Sequence, residues 1–202
     1  MNKFEQFKFE NSEQRTEKRS VEILADLDLT IEDLAGKRVL DIGAGNAEIA
    51  KVANKKGAMV YSLEHDLGFV KRNFKDFSAK DANYVVAKAE KLPFKDGFFD
   101  LLITHGGPPN ISSSKEEIEA VVKEGYRVLK PAGEWRIGQG YLSAAAFTDL
   151  DLPDSLSAEE RMKKIKQAAF DYLKNIWAGQ IEEIQKGENV YEMYYKLIKK
   201  HE

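Results

Sequence analysis

The feature that most constrains the fold is an alternation of short apolar runs with amphipathic stretches across the middle of the chain. Buried strands separated by helical patterns are typical of a parallel sheet with right-handed crossovers. We therefore predict an α/β fold with a doubly wound, mainly parallel sheet. The predicted strands are residues 38–42, 58–63, 84–87, 99–104 and 134–138.

Helical patterns flank these runs and also occupy both ends of the chain. The predicted central helices are residues 46–56, 67–77 and 114–129, the last of them opened by Ser114. An amphipathic helix within 11–29 is expected to pack on the elements that follow. After Gly140 we predict a long amphipathic helix with a serine or aspartate cap. A final helix is predicted from Tyr191, Tyr194, Tyr195 and Ile198, which fall at i, i+3, i+4 and i+7.

Composition narrows the class of protein. With 202 residues, 43% of them hydrophobic, the chain can build one sizeable core, so we expect a single soluble domain. A net charge of -3 gives no basic field for nucleic acid or anionic membranes, which makes both unlikely partners. The absence of cysteine excludes thiolate metal sites and disulfides, and we predict no metal site. No signal-peptide run occurs in residues 1–10, and the expected location is cytoplasmic.

The stretch VLDIGAGNAEIA, residues 39–50, predicts a strand, a glycine turn and a helix. In a doubly wound sheet this first turn borders the ligand, and Gly43 and Gly45 allow the backbone to approach it closely. Asp41 and Glu48 would repel a diphosphate, and the third glycine of the dinucleotide fingerprint is absent because position 48 is Glu. These charges favour a cationic ligand such as S-adenosylmethionine, whose ammonium a carboxylate can bind.

A second acidic residue, Glu64, ends the second predicted strand about twenty residues beyond the glycines. A carboxylate at that position can accept hydrogen bonds from both hydroxyls of a ribose. A dinucleotide and an adenosyl group both contain such a ribose. Glu64 therefore predicts a ribose but does not distinguish between these two ligands.

Four segments in this order resemble the class I S-adenosylmethionine-dependent methyltransferases. They are VLDIGAGNAEIA, YSLEHD, AKAEKLPFKDGFFDLLITHG and YRVLKPAGEWRI, and the resemblance covers residues 36–138. It implies a Rossmann-like sheet of strand order 3-2-1-4-5 and S-adenosylmethionine as cofactor, with Ala89 and Glu90 against the adenine. The implied cofactor-binding residues are Asp41, Gly43, Ala44, Gly45, Glu64, His65, Ala89, Glu90 and Thr104.

The sequence departs from the family pattern at three places. Ala47 replaces a frequent glycine, a change that adds one methyl group. Lys88 stands where an aspartate commonly accepts from the adenine amine, so that contact falls to Glu90 or to backbone. The family usually completes its sheet with an antiparallel hairpin, whereas helices are predicted here. Strand five would then be an edge covered by those helices or by another subunit, which favours a homodimer through the C-terminal region.

These features predict a methyltransferase acting on a small-molecule acceptor. One domain is expected, with a helical segment at 1–35, a cofactor-binding core at 36–140 and a helical region at 141–202. His105, after strand four, is the candidate catalytic base, and a polar lining role is its alternative. Asp100 is expected to be structural. A non-catalytic S-adenosylmethionine-binding module, or a methyltransferase-like subunit of a complex, is the alternative function. The acids at the glycine turn disfavour a nucleotide-dependent oxidoreductase.

Overall fold

A seven-stranded sheet forms the centre of the molecule in the computed structural model, which describes residues 12–73, 83–138, 144–147, 149–185 and 193–201. The strands are β1 (Arg38–Ile42), β2 (Met59–Glu64), β3 (Tyr84–Val86), β4 (Phe99–His105), β5 (Leu129–Gly138), β6 (Gln180–Gln185) and β7 (Met193–Ile198). The helices are α1 (Ser12–Asp26), α2 (Glu48–Ala53), α3 (Leu67–Asn73), α4 (Lys115–Val128) and α5 (Ala158–Ile176). Short 3-10 turns cover Glu32–Leu34, Asn54–Lys56 and Ala144–Phe147.

The strand order is β3-β2-β1-β4-β5-β7-β6. The first five strands are parallel and follow the predicted order 3-2-1-4-5. Because parallel strands end at one edge of the sheet, the carboxyl ends of β1, β2 and β4 lie next to one another. The α/β class and the Rossmann-like topology are therefore confirmed.

Most predicted elements agree with the structure within a few residues. The helix predicted at 114–129 is α4, and its serine cap is present, since Ser114 Oγ accepts a hydrogen bond from the Glu117 amide at 3.3 Å. The fifth strand begins at Leu129, five residues earlier than predicted. The helix predicted at 67–77 begins as α3, and its last residues lie outside the described part of the chain.

The predicted final helix is wrong. The long helix after Gly140 exists as α5, but residues 193–198 form β7, which is antiparallel to both β5 and β6. Tyr194 and Tyr195 are both buried, yet they belong to core clusters on opposite faces of the sheet, as neighbouring residues of a strand do. Because β7 is buried on both faces, adjacent residues of the strand are both apolar or aromatic. Their spacing therefore also fits the pattern of a helix. Tyr191 lies outside the described residues.

The final hairpin of the family is thus present as β6 and β7. β7 pairs with β5 from Glu134 to Gly138, so strand five is an inner strand of the sheet. Strand five therefore has no exposed edge that would favour a homodimer. The homodimer remains a prediction, but it has lost this argument.

Apolar side chains fill both faces of the sheet. One face carries Leu40 and Ile42 of β1 beneath α4 and α5, with Trp135 fully buried among them. The opposite face carries Val39 beneath α1 and α2, with Leu24 of α1 also fully buried. This second layer places α1 next to the turn between β1 and α2, which is where the candidate site lies. Among the described helices, none is long and apolar enough to cross a membrane.

Candidate functional site

The turn between β1 and α2 is tied to β2 by its own backbone. The amides of Gly43 and Ala44 both donate to the Leu63 carbonyl, at 2.9 and 3.0 Å. Gly43 and Gly45 have φ values of +76° and +52°, which residues with a side chain rarely adopt. Because the first two amides of the turn are already used, they are not available to a phosphate. The structure therefore agrees with the argument against a diphosphate.

A close backbone contact joins this turn to the loop after β4. A Cβ atom added at Gly43 would lie 3.0 Å from Gly107 Cα, and one added at Gly107 would lie 2.7 Å from the Ile42 carbonyl oxygen. Side chains at either position would push the two loops apart. The pair of glycines thus allows the loops after β1 and β4 to lie in close backbone contact.

Two cavities adjoin this turn and share Gly43 in their lining. The Glu64 cavity has a volume of about 480 Å³, and the Asp41 cavity has a volume of about 310 Å³. Residues lining the Glu64 cavity include Gly43, Glu64, Lys88, Ala89, Glu90 and Ser112. Residues lining the Asp41 cavity include Arg19, Asp41, Gly43, Gly45, Glu48 and His105. Gly43 lines both cavities, so a ligand that extended past this glycine would contact both.

Asp41 is a buried carboxyl group with no compensating cation in the part of the chain that the structure describes. It is 5% exposed, and within the described residues its carboxylate has no hydrogen-bond or ion-pair partner. Burial raises the pKa of Asp41 from an ordinary 3.8 to about 7, and the negative charges of Glu48 and Glu64 add to the effect. A ligand ammonium would supply the missing positive charge, so the group fits the amino end of S-adenosylmethionine.

Glu64 ends β2 with its carboxylate held in place by the chain that follows. Its Oε1 accepts hydrogen bonds from the amides of His65 and Asp66, at 2.8 and 3.2 Å. The Oε2 atom makes no hydrogen bond within the part of the chain that the structure describes. A carboxylate fixed at the wall of a cavity in this way fits the two hydroxyls of a ribose.

The remaining walls of the Glu64 cavity fit a planar heterocycle that needs both donors and acceptors. Ala89 is 4% exposed and presents an apolar surface, while Lys88 and Glu90 also line the cavity. Ser112, which is 5% exposed, comes from the loop after β4. The structure thus places the predicted adenine-side residues on the same cavity as Glu64.

His105 lies at the end of β4, in the Asp41 cavity. Its Nε2 is 2.8 Å from the Asp26 carboxylate of α1, and its side chain is 6% exposed. A carboxylate partner makes Nε2 the donor and leaves Nδ1 as the basic nitrogen. Burial lowers the pKa of His105 below its ordinary 6.5, although Asp26 opposes that effect. The imidazole is therefore neutral at pH 7.

The structure brings together nearly all of the predicted site residues. Asp41, Gly43, Ala44, Gly45 and His105 line the Asp41 cavity, whereas Gly43, Glu64, His65, Ala89 and Glu90 line the Glu64 cavity. Thr104 is different. It is fully buried, lines neither cavity and accepts a hydrogen bond from Trp135 Nε1 at 3.1 Å.

Sequence reasoning missed Arg19 and Asp26, which α1 contributes to the site. They lie on one stripe of the helix with Ile23, at spacings of four and three residues. That spacing was the only signal, since neither residue belongs to a local motif.

Ala47 was identified, but its effect exceeds one methyl group because its φ is +57°, the left-handed conformation that glycine prefers.

Comparisons with known proteins agree with this geometry. The family profile described as "Methyltransferase domain" matches residues 40–137, just under half of the chain. A curated relative, the ubiquinone/menaquinone biosynthesis C-methyltransferase UbiE of Serratia proteamaculans, is 30% identical over 105 residues. The match covers 48% of this chain and 40% of the relative. The chain thus spans less than half the length of the curated relatives that it matches.

Two solved structures share the fold. The PH0226 protein of Pyrococcus horikoshii OT3 has a TM-score of 0.61 at 19% identity, covering 95% of this chain and 93% of that protein. Phosphoethanolamine N-methyltransferase 2 of Haemonchus contortus, solved with S-adenosylhomocysteine, has a TM-score of 0.55 at 16% identity. Here 91% of this chain and 53% of that protein are covered. With the strand order, the two cavities and the family profile, these findings lead to one assignment. Residues 40–137 match a methyltransferase domain, and together the findings support a class I S-adenosylmethionine-dependent methyltransferase with S-adenosylmethionine as its cofactor.

Proposed function

We propose that the protein transfers a methyl group from S-adenosylmethionine to a small-molecule acceptor, and that His105 accepts the proton which the acceptor loses. The observation that carries this proposal is the contact between His105 and Asp26 at the wall of the Asp41 cavity. A neutral imidazole oriented by a carboxylate is a suitable general base near pH 7.

The chain's own residues would mainly hold and align the reactants. Glu64 and Ala89 would hold the adenosyl half of the cofactor, and Asp41 would hold its ammonium group. The bound cofactor supplies an electrophilic methyl group on its sulfonium. Because such a carbon is already activated, alignment and the exclusion of water provide most of the catalysis.

The acceptor is proposed to be small and to lose a proton on methylation. The curated relatives are named C-methyltransferases, and a carbon acceptor has to release a proton when the new bond forms. A hydroxyl acceptor has the same requirement. Phenols and hydroquinones, which offer both kinds of atom, are therefore the first compounds to screen.

Methyl transfer from isotope-labelled S-adenosylmethionine to this panel tests the proposal. We expect labelled product with the wild-type chain, and a loss of about 10²- to 10⁴-fold in kcat for His105→Ala. Because burial lowers the pKa of His105, kcat at saturating cofactor should fall only below about pH 6.5, the ordinary histidine value. Asp26→Asn should lower kcat while leaving the affinity for S-adenosylhomocysteine unchanged.

Two results would contradict this account. Full activity of His105→Ala would exclude the base role. His105 would then be a polar residue that lines the site, which is the alternative role. Binding of the cofactor without transfer to any acceptor would support the alternative, a non-catalytic module or a subunit of a complex. A missing final hairpin would have favoured that alternative, but the hairpin β6–β7 is present.

A further inference from the structure

The Asp41 cavity has to accommodate both signs of charge, because the methionyl group of S-adenosylmethionine carries a carboxylate beside its ammonium. Asp41 and Glu48 suit the ammonium, but they repel the carboxylate. Among the described residues that line this cavity, Arg19 is the one permanently charged cation.

Three backbone amides of the turn are not available to that carboxylate. The amides of Gly43 and Ala44 donate to the Leu63 carbonyl, and the amide of Ala47 donates to the Ala44 carbonyl at 2.7 Å. α2 has only six residues, so its dipole adds little. Because Asp41 and Glu48 also line the cavity, a cationic side chain is the partner that would best compensate the negative charge.

Arg19 is positioned to be that partner. The neighbouring Ser20 has its hydroxyl 2.7 Å from the Glu48 carbonyl, which fixes this turn of α1 against the start of α2. Among the described residues Arg19 forms one ion pair, with Glu22 at 3.4 Å, and both side chains are about half exposed. An exposed pair of this kind is weak, so the guanidinium can exchange it for a ligand. Arg19 and His105 line the same cavity, and the positive charge of Arg19 adds to the effect of burial in lowering the pKa of His105.

We propose that Arg19 binds the carboxylate of the cofactor's methionyl group. α1 then serves the site twice, since it holds the cofactor through Arg19 and orients His105 through Asp26. A guanidinium fits this task because it can donate two parallel hydrogen bonds to a carboxylate. The proposal rests on the cofactor and on no particular acceptor.

Titration of the full chain with S-adenosylmethionine and with its decarboxylated analogue tests this role. The analogue keeps the ammonium and the sulfonium but lacks the carboxylate. We expect the wild type to prefer S-adenosylmethionine by about 10- to 100-fold, and Arg19→Gln to bind the two ligands with nearly equal affinity. Arg19→Lys should keep part of the preference. Arg15→Gln is the matched control, because Arg15 is exposed on the same helix one turn earlier and does not line the cavity.

The analogue also reports on folding, because its binding by Arg19→Gln shows that the adenosyl half of the site is intact. An unchanged preference for S-adenosylmethionine in Arg19→Gln would overturn the proposal. Equal weakening of both ligands would overturn it too, since Arg19 would then support the cavity rather than the carboxylate. No acceptor is needed, so this result is independent of the methyl-transfer screen.

Discussion

At the scale of single residues, the site depends on groups that lower the stability of the folded chain. Asp41 is buried without a counterion among the described residues, and Ala47 has a φ of +57°, which costs about 1 to 2 kcal/mol for a residue with a Cβ atom. The sequence predicted that Asp41 lies at the ligand. It could not predict the raised pKa, because that depends on Glu48 and Glu64 being brought near it by the fold. Residues in such positions are typical of functional sites.

Asp41→Asn should make the ligand-free protein more stable at pH 8. The pKa of Asp41 is about 7 in the folded chain and near 3.8 when unfolded, so wild-type stability decreases as the pH rises between these values. Each pKa unit corresponds to about 1.4 kcal/mol, and the gain is therefore a few kcal/mol at most. Thermal unfolding from pH 5 to pH 8 should show a Tm difference that grows with pH, together with loss of cofactor binding.

Asp100→Asn is the matched control for this variant. Asp100 accepts a hydrogen bond from the Arg38 amide at 2.9 Å and pairs with Lys130, which gives it the structural role expected from the sequence. Its replacement should lower stability at pH 8. If Asp41→Asn also lowered stability at pH 8, Asp41 would not be an uncompensated buried charge.

At the scale of elements, local sequence patterns were sufficient for β1 to β5 and for α4. Each of these strands is a short apolar run, and Ser114 marks the start of its helix. β7 was missed because its identity depends on pairing with β5, far away in the sequence, and with β6. Burial on both faces removed the alternation of apolar and polar residues that would have indicated a strand.

The contact of α4 with β5 reverses the usual effect of a helix glycine. A Cβ atom added at Gly125 would lie 2.3 Å from Trp135 Cζ3. In an exposed helix Gly→Ala stabilises by about 1 kcal/mol, but here the overpacking should make Gly125→Ala destabilising by about 1 to 3 kcal/mol. Urea unfolding measures the change. The same substitution should cost less in a Trp135→Phe background, and equal costs in both backgrounds would show that the two residues are not coupled.

At the scale of the whole molecule, the cofactor site could be predicted further than the acceptor site. The cofactor residues follow strands in sequence, so Asp41, Glu64 and His105 could be assigned to one edge of the sheet. Arg19 and Asp26 reach that edge only because α1 packs on α2, a contact that has no motif. The small-molecule acceptor, the absence of nucleic acid as a partner and the homodimer remain predictions.

Calorimetric titration with S-adenosylhomocysteine and with NAD is the decisive test of the cofactor site. We expect saturable binding of S-adenosylhomocysteine, no binding of NAD, and a loss of at least about tenfold in affinity for Glu64→Ala, because the ribose loses its acceptor. NAD binding as tight as that of S-adenosylhomocysteine would contradict the reading of Asp41 and Glu48 as residues that reject a diphosphate. No binding of S-adenosylhomocysteine by the wild-type chain would contradict the cofactor site itself.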